Sequence, residues 1–166
     1  DSRRVRVCAT MFLGFTRIVS RSAWQTVTIP LLVKNFGFTI WTGSIVFSCV
    51  TLTALFAQQA FAIIHGHLSD ETWVRITEVV TIVSNIAMIN FKGGHKHVRE
   101  SMYLIGSVFL YISLSINSNV TSVNATKYAI EGDFFFDQKS ISTAQLITQN
   151  MLGKICGPLY ASYLFS

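Results

Sequence analysis

Apolar residues in this chain come in five long runs divided by short polar corners. The runs cover about 7–33, 39–64, 74–91, 101–123 and 140–165. The most uniform lies between Lys34 and His65 and holds no charged residue. It is roughly thirty residues long, where about twenty suffice to cross a bilayer core. A polar corner follows, Gly66-His67-Leu68-Ser69-Asp70-Glu71-Thr72-Trp73-Val74-Arg75, and the next apolar run begins directly after it. Open sheets cannot satisfy their edge groups in hydrocarbon, and these runs are too long and uniform for barrel strands. The expected fold is all-α: a polytopic transmembrane bundle of five spanning helices in one domain.

The breaks between runs have their own chemistry. Pro30 predicts a kink or helix exit late in the first run. Lys34-Asn35-Phe36-Gly37 reads as a short turn. Two glycines and dense charge make Lys92-Gly93-Gly94-His95-Lys96-His97 a loop. Residues 124–139 are polar but contain Phe134-Phe135-Phe136, which leaves room for a helix lying in the membrane interface. Gly153, Gly157 and Pro158 are expected to interrupt the last helix locally.

Composition sharpens the picture. Of 166 residues, 51% are hydrophobic and 13% charged, against about a quarter charged in soluble domains. Mean hydropathy is only +0.47, because Ser, Thr, Asn and Gln are plentiful inside the apolar runs, where they suit helix contacts or a wet cavity better than lipid. The competing fold is a soluble bundle with its long runs buried. The net charge of +5 is scattered, with no Lys/Arg stripe interleaved with aromatics, so nucleic acid is not an expected partner. Arg3-Arg4-Arg6 fits the cytosolic flank of a membrane helix. No cleavable signal peptide is evident, since Arg17 and Arg21 interrupt the stretch after that basic start. Cys8, Cys49 and Cys156 are far apart and form no CxxC pair, so buried free thiols are expected. The chain opens at Asp1 and closes just as an apolar run finishes, which suggests a fragment of a longer protein.

The corner carries a pattern. Gly66, Asp70 and Arg75 stand as G-x-x-x-D-x-x-x-x-R, with Leu68 between the first two. Glycine lets helix ends approach closely. A carboxylate at the start of the next helix can cap its unpaired N–H groups and suits the dipole, and an Arg on the next turn can pair with it. The pattern resembles the cytosolic loop signature of the major facilitator superfamily, found between the second and third helices of each six-helix half. That family usually has a basic residue where Glu71 stands and a Gly where Trp73 stands. Segment order from Phe15 through Phe91 and Tyr103 through Ser166 is similar to the C-terminal half of one branch. That branch holds vacuolar transporters bearing an SPX domain and lysosomal membrane proteins associated with ceroid lipofuscinosis. The Arg-x-x-x-Gly-type signature of many members' fourth helix is absent here. The resemblance implies helices seven to eleven of twelve, with one to five left open. It also implies a vacuolar or lysosomal membrane, the other transporter half as a partner, secondary transport around a midplane site, and a conformational latch formed by Gly66, Asp70 and Arg75. It places the N-terminus, the corner and the 124–139 region on the cytosolic side. There the Asn119-Val120-Thr121 and Asn124-Ala125-Thr126 sequons would stay unglycosylated.

Polar residues within the runs nominate a site. Arg17 and Arg21 lie four apart on one helix face, with Gln25 near it. Buried in a membrane, such cations mark a pathway, and guanidiniums suit phosphate, carboxylate or halide. Snorkelling to the headgroups is the alternative. Lys154 sits deep in the last run, one turn after Asn150 and near Gln145 and Gln149. Gln58, Gln59 and Asn85 are expected to bond between helices. The pairs His65/His67 and His95/His97 are read as loop histidines rather than metal ligands. With no nucleophile–base pair or phosphate-cradling loop, neither an enzyme nor a cofactor is expected. The function expected is movement of a small solute, an anion by these charges, by alternating access. Arg17, Arg21, Gln25 and Lys154 are its binding residues. An anion channel or a non-transporting receptor on the same fold is the alternative.

Overall fold

The computed structural model describes residues 2–89, 96–130 and 133–165. All regular structure among them is helical: α1 (Ser2–Phe36), α2 (Ile40–Ile64), α3 (Asp70–Met88), α4 (Lys96–Lys127), α5 (Gln138–Gln145) and α6 (Gly153–Phe165). A 3-10 turn, His65–His67, leads towards α3, and a π-helical stretch, Leu146–Leu152, joins α5 to α6 without a break. Two helical stretches, Ile40–His67 and His97–Lys127, are long and apolar enough to cross a membrane by length and composition. The expectation of five spans is met to that extent. The first run carries Arg17 and Arg21, the last carries Lys154, and α3 has four charged side chains from Asp70 to Glu78.

Local chemistry explains the boundaries. Helix α1 does not exit at Pro30 but runs on to Phe36. Gly37 ends it at φ 74°, with Phe38 N–H donating to Leu32 C=O at 3.2 Å and Gly37 N–H to Val33 C=O at 3.1 Å. The Gly37 bond to Val33 is that of an αL cap, which needs the left-handed residue that glycine supplies. Thr39 caps α2, Ser69 caps α3 and Asp137 caps α5, each accepting from a backbone N–H in the first turn. The expectation that Asp70 caps α3 is therefore corrected: Ser69, one residue earlier, has the extended backbone a cap requires, and Asp70 is already helical. Helix α4 continues to Lys127, so both sequons lie on helical backbone. The loop expected around Lys92 lies largely outside the described residues. All three cysteines are free, but Cys8 and Cys49 are exposed rather than buried.

By contacts the chain forms two compact units. One comprises Val27–Ile116, the other Asp1–Thr26 with Asn117–Ser166.

In the Val27–Ile116 unit, α3 is turned inside out relative to a helix in water. It buries Thr77, Thr81 and Ser84 and exposes Val79, Ile82, Val83 and Ile86. Thr81 and Ser113 share a hydroxyl–hydroxyl hydrogen bond of 2.9 Å between α3 and α4. Gly106 permits that approach: a Cβ there would stand 2.8 Å from Met88 Cγ and 3.0 Å from the Ser84 carbonyl oxygen. Asn85, expected to bond across helices, instead donates to the Thr81 carbonyl of its own helix at 2.8 Å. Leu32, Phe36 and Tyr103 form the apolar cluster. Helix α2 displays Ile45, Leu52, Leu55 and Phe56 outward.

In the other unit, Val7, Ala125 and Ile141 make an apolar cluster flanked by Tyr128 and Phe136. Asn117, Ser118, Thr121 and Asn124 of α4 are buried. The turn before α5 is stapled by Asp133. One carboxylate oxygen accepts from Phe135 N–H at 3.0 Å and Phe136 N–H at 3.3 Å, and the other accepts from Arg4 Nη2 at 2.7 Å. The two backbone donors, Phe135 first, and Arg4 together hold the Asp133 carboxyl below its ordinary range, against a smaller desolvation effect. Stabilisation from a depressed carboxylate is full above its unfolded value and is lost as pH falls through the folded one. Asp133→Asn is expected to mimic that loss at neutral pH, read as faster amide exchange at Phe135 and Phe136.

Candidate functional site

The polar residues of the first and last runs meet in the Asp1–Thr26/Asn117–Ser166 unit. Ile18, Arg21, Ser22 and Gln25 of α1 line a partly enclosed cavity of about 310 Å³ with Asn150 and Lys154 opposite. Two spacings build it. Arg21 and Gln25 lie one turn apart on α1, as do Ser22 and Ile18. Asn150 and Lys154 lie one turn apart across the junction of the π stretch and α6. That volume holds roughly ten waters, at the lower end of small-ligand cavities. Two cations and two carboxamides face it, and no carboxylate is among its lining residues.

The helices approach closely because of small residues. A Cβ on Gly157 would stand 2.6 Å from Ser22 Cβ and 2.8 Å from both Ala23 N and Val19 O, and one on Gly153 would stand 2.8 Å from Ile18 Cγ2. Gly153 and Gly157 form a G-x-x-x-G face, the small-residue pattern that packs helices in membranes. They were expected to interrupt the helix. Instead it runs through them and through Pro158, and the irregularity falls earlier, in the π stretch. Pro158 removes the N–H that would bond the Lys154 carbonyl. Ser22 Oγ donates to that carbonyl at 3.3 Å. A defect in α6 is thereby repaired by α1, beside the cavity.

A second contact braces the π stretch. Gln149 is 4% exposed and accepts from Ser122 Oγ at 3.2 Å. Gln145 Nε2 donates to the Ser122 carbonyl at 3.2 Å. Gln149 also packs on Gly14, where a Cβ would collide with its carboxamide. Gln145 and Gln149 therefore clasp α4 rather than flank Lys154.

Of the four nominated binding residues, Arg21, Gln25 and Lys154 line the cavity and Arg17 does not. Arg17 lies one turn before Arg21 and directly before Ile18, at the end where Ile18 meets Gly153 tightly. Ser22 and Asn150 join the site without having been nominated. Their signal was the same one-turn spacing, together with the G-x-x-x-G face that brings the helices together.

The corner lies in the Val27–Ile116 unit. Asp70 Oδ1 is 2.9 Å from His65 Nε2, a partner that the G-x-x-x-D-x-x-x-x-R spacing does not contain. Trp73 donates from Nε1 to the His65 carbonyl at 3.3 Å and stacks edge-on against Phe61 at 4.8 Å. Trp73, one of the two residues that depart from the pattern, thus braces the turn. Gly66 is exposed, and a Cβ there would meet nothing within 4 Å, so close packing around this glycine, the reason expected for it, is not seen. Arg75 is also exposed. Among the described residues no three His, Cys, Asp or Glu gather as a metal site.

The chain matches no protein-family model, no curated protein and no solved structure.

Proposed function

We infer that this chain is a membrane-embedded helical domain that binds and moves a small anion, as one half of a transporter of the major-facilitator kind. The observation that carries the reading is the convergence of Arg21, Lys154, Gln25 and Asn150 on one cavity with no carboxylate in its lining. Two cations lining one cavity, with no carboxylate among its lining residues, favour an anion there. The membrane reading draws on α3, whose buried face is hydroxyl-bearing and whose outer face is Val and Ile. Water would sort those faces the other way, whereas lipid makes the polar face the adhesive one.

The π stretch and Pro158 beside the cavity suit a moving element, since such breaks weaken a helix's own hydrogen-bond ladder. The corner at Gly66, Asp70 and Arg75 suits a latch, because Gly66 and Arg75 are outward-facing and open to a contact with a second transporter half. The resemblance favours a vacuolar or lysosomal membrane.

The test is anion movement in vesicles containing the full chain, using inorganic phosphate, chloride and a small carboxylate in turn. Saturable counterflow of one of them is expected. Unitary currents would indicate a channel instead, and binding without flux a receptor or scaffold.

A further inference from the structure

Three phenylalanines stand in a row at 134–136, yet the fold uses only one for packing. Phe136 joins the cluster of Val7, Ala125 and Ile141, with the Arg4 guanidinium 5.4 Å from its ring centroid. Phe134 and Phe135 point out, 84% and 75% exposed, as an edge-to-face pair with centroids 5.1 Å apart. They are not on a loose loop. Asp133 ties the backbone of Phe135 and Phe136 to Arg4. Ile130 N–H donates to Phe136 C=O at 2.8 Å, closing the turn at its base. Ser140 Oγ donates to the Phe134 carbonyl at 2.8 Å. A turn this heavily bonded holds both rings outward with little entropy left to lose on insertion.

Its place in the chain says what covers it. The turn lies between Lys127, the last residue of a helix long and apolar enough to cross a bilayer, and Gln138, where the next helix begins. In a bilayer crossed by that helix the turn falls at headgroup depth, where aromatic rings anchor membrane proteins. Exposed Arg3, Arg6, Lys127 and Lys139 belong to the segments that flank the turn in the same unit and suit the phosphate level.

We propose that Phe134 and Phe135 form a rigid wedge inserted at the headgroup–acyl boundary of the bilayer, fixing the depth of the α4–α5 junction. This rests on the membrane reading, and the experiment separates the two.

The full chain, with Cys8, Cys49 and Cys156 changed to Ser, is placed in phosphatidylcholine nanodiscs. A single spin label is attached through Phe134→Cys, Phe135→Cys, Val83→Cys or Lys139→Cys, and its collisions with oxygen and with a water-soluble nickel chelate are compared. All four sites are exposed, so helical content by circular dichroism is expected to be unchanged. Oxygen is expected to dominate strongly at 83 and by a smaller, several-fold margin at 134 and 135, while nickel dominates at 139. If 83 lies in lipid but 134 and 135 behave like 139, the wedge is wrong and the membrane reading stands. If 83 is itself aqueous, the membrane reading fails and takes the wedge with it. Labels at 134 and 135 shielded from both reagents would mean that protein, from a second copy or a partner, covers the pair, which also overturns the wedge. Phe134→Trp in the otherwise native sequence gives a second reading: its added emission is expected to be quenched most by lipids brominated near the glycerol end of the chains, and unquenched emission would count against insertion.

Discussion

Replacing Arg21 and Lys154 together by glutamine is expected to abolish anion flux in vesicles and to weaken anion binding by detergent-solubilised protein at least a hundredfold. Each unit charge about 4 Å from an anion contributes on the order of 4 kcal/mol at an effective dielectric near 20, and about 1.4 kcal/mol is tenfold in affinity. Even with most of that offset by the anion's own desolvation, two lost cations exceed the hundredfold mark. Arg21→Lys keeps the charge but loses the planar fork, so its defect is expected to be intermediate and larger for a carboxylate or phosphate than for a halide. Arg17→Gln is the informative contrast. Arg17 is absent from the cavity lining, so binding is expected to change by less than about threefold, an amount below 1 kcal/mol. Titration calorimetry with inorganic phosphate and chloride gives the affinities. Equal loss at 17 and 21 would mean that the site extends past Ile18, and no loss at 21 and 154 would remove the anion reading.

The second large effect is expected at Gly157. Its neighbours are backbone atoms, Ala23 N and Val19 O, both 2.8 Å from a Cβ placed there, and Ser22 Cβ at 2.6 Å. Backbone cannot swing aside as a flexible side chain does, so even alanine must push α1 and α6 apart. Overpacking of this kind costs about 1–3 kcal/mol, and Gly157→Leu is expected to exceed that range. The separation also lengthens the 3.3 Å bond from Ser22 to the Lys154 carbonyl and spreads the cavity, so stability and anion binding should fall together. Ser22→Ala isolates the hydrogen bond. Single bonds between membrane helices contribute about 0.6 kcal/mol on average, so a much smaller drop than for Gly157→Ala is expected, measured as the SDS concentration that half-unfolds the protein. A Gly157→Leu protein as stable as the parent would show that the helices do not meet at this face.

Much of the architecture was readable from the order of residues. Long uncharged runs and the corners between them follow from side-chain transfer energies, which act position by position. The helical class and the approximate extent of α2 and the 140–165 run came from that pattern alone. The ends were harder, because a cap depends on one backbone torsion. Ser69 rather than Asp70 caps α3, and α1 passes Pro30 because only one internal bond is lost there.

The site divides the same way. Charged and carboxamide residues inside an apolar run stand out at once, so the sequence alone singles out Arg21, Gln25 and Lys154. Which of them share a cavity depended on how closely α1 approaches the 138–165 rod, and that distance is set by Gly153 and Gly157 across from Ile18, Ser22 and Ala23. Lone residue identities gave no ground for excluding Arg17, for adding Ser22 and Asn150, or for turning Gln149 away from Lys154. Residue chemistry is written along the chain, whereas convergence belongs to pairs of segments more than a hundred positions apart, and only packing brings those together.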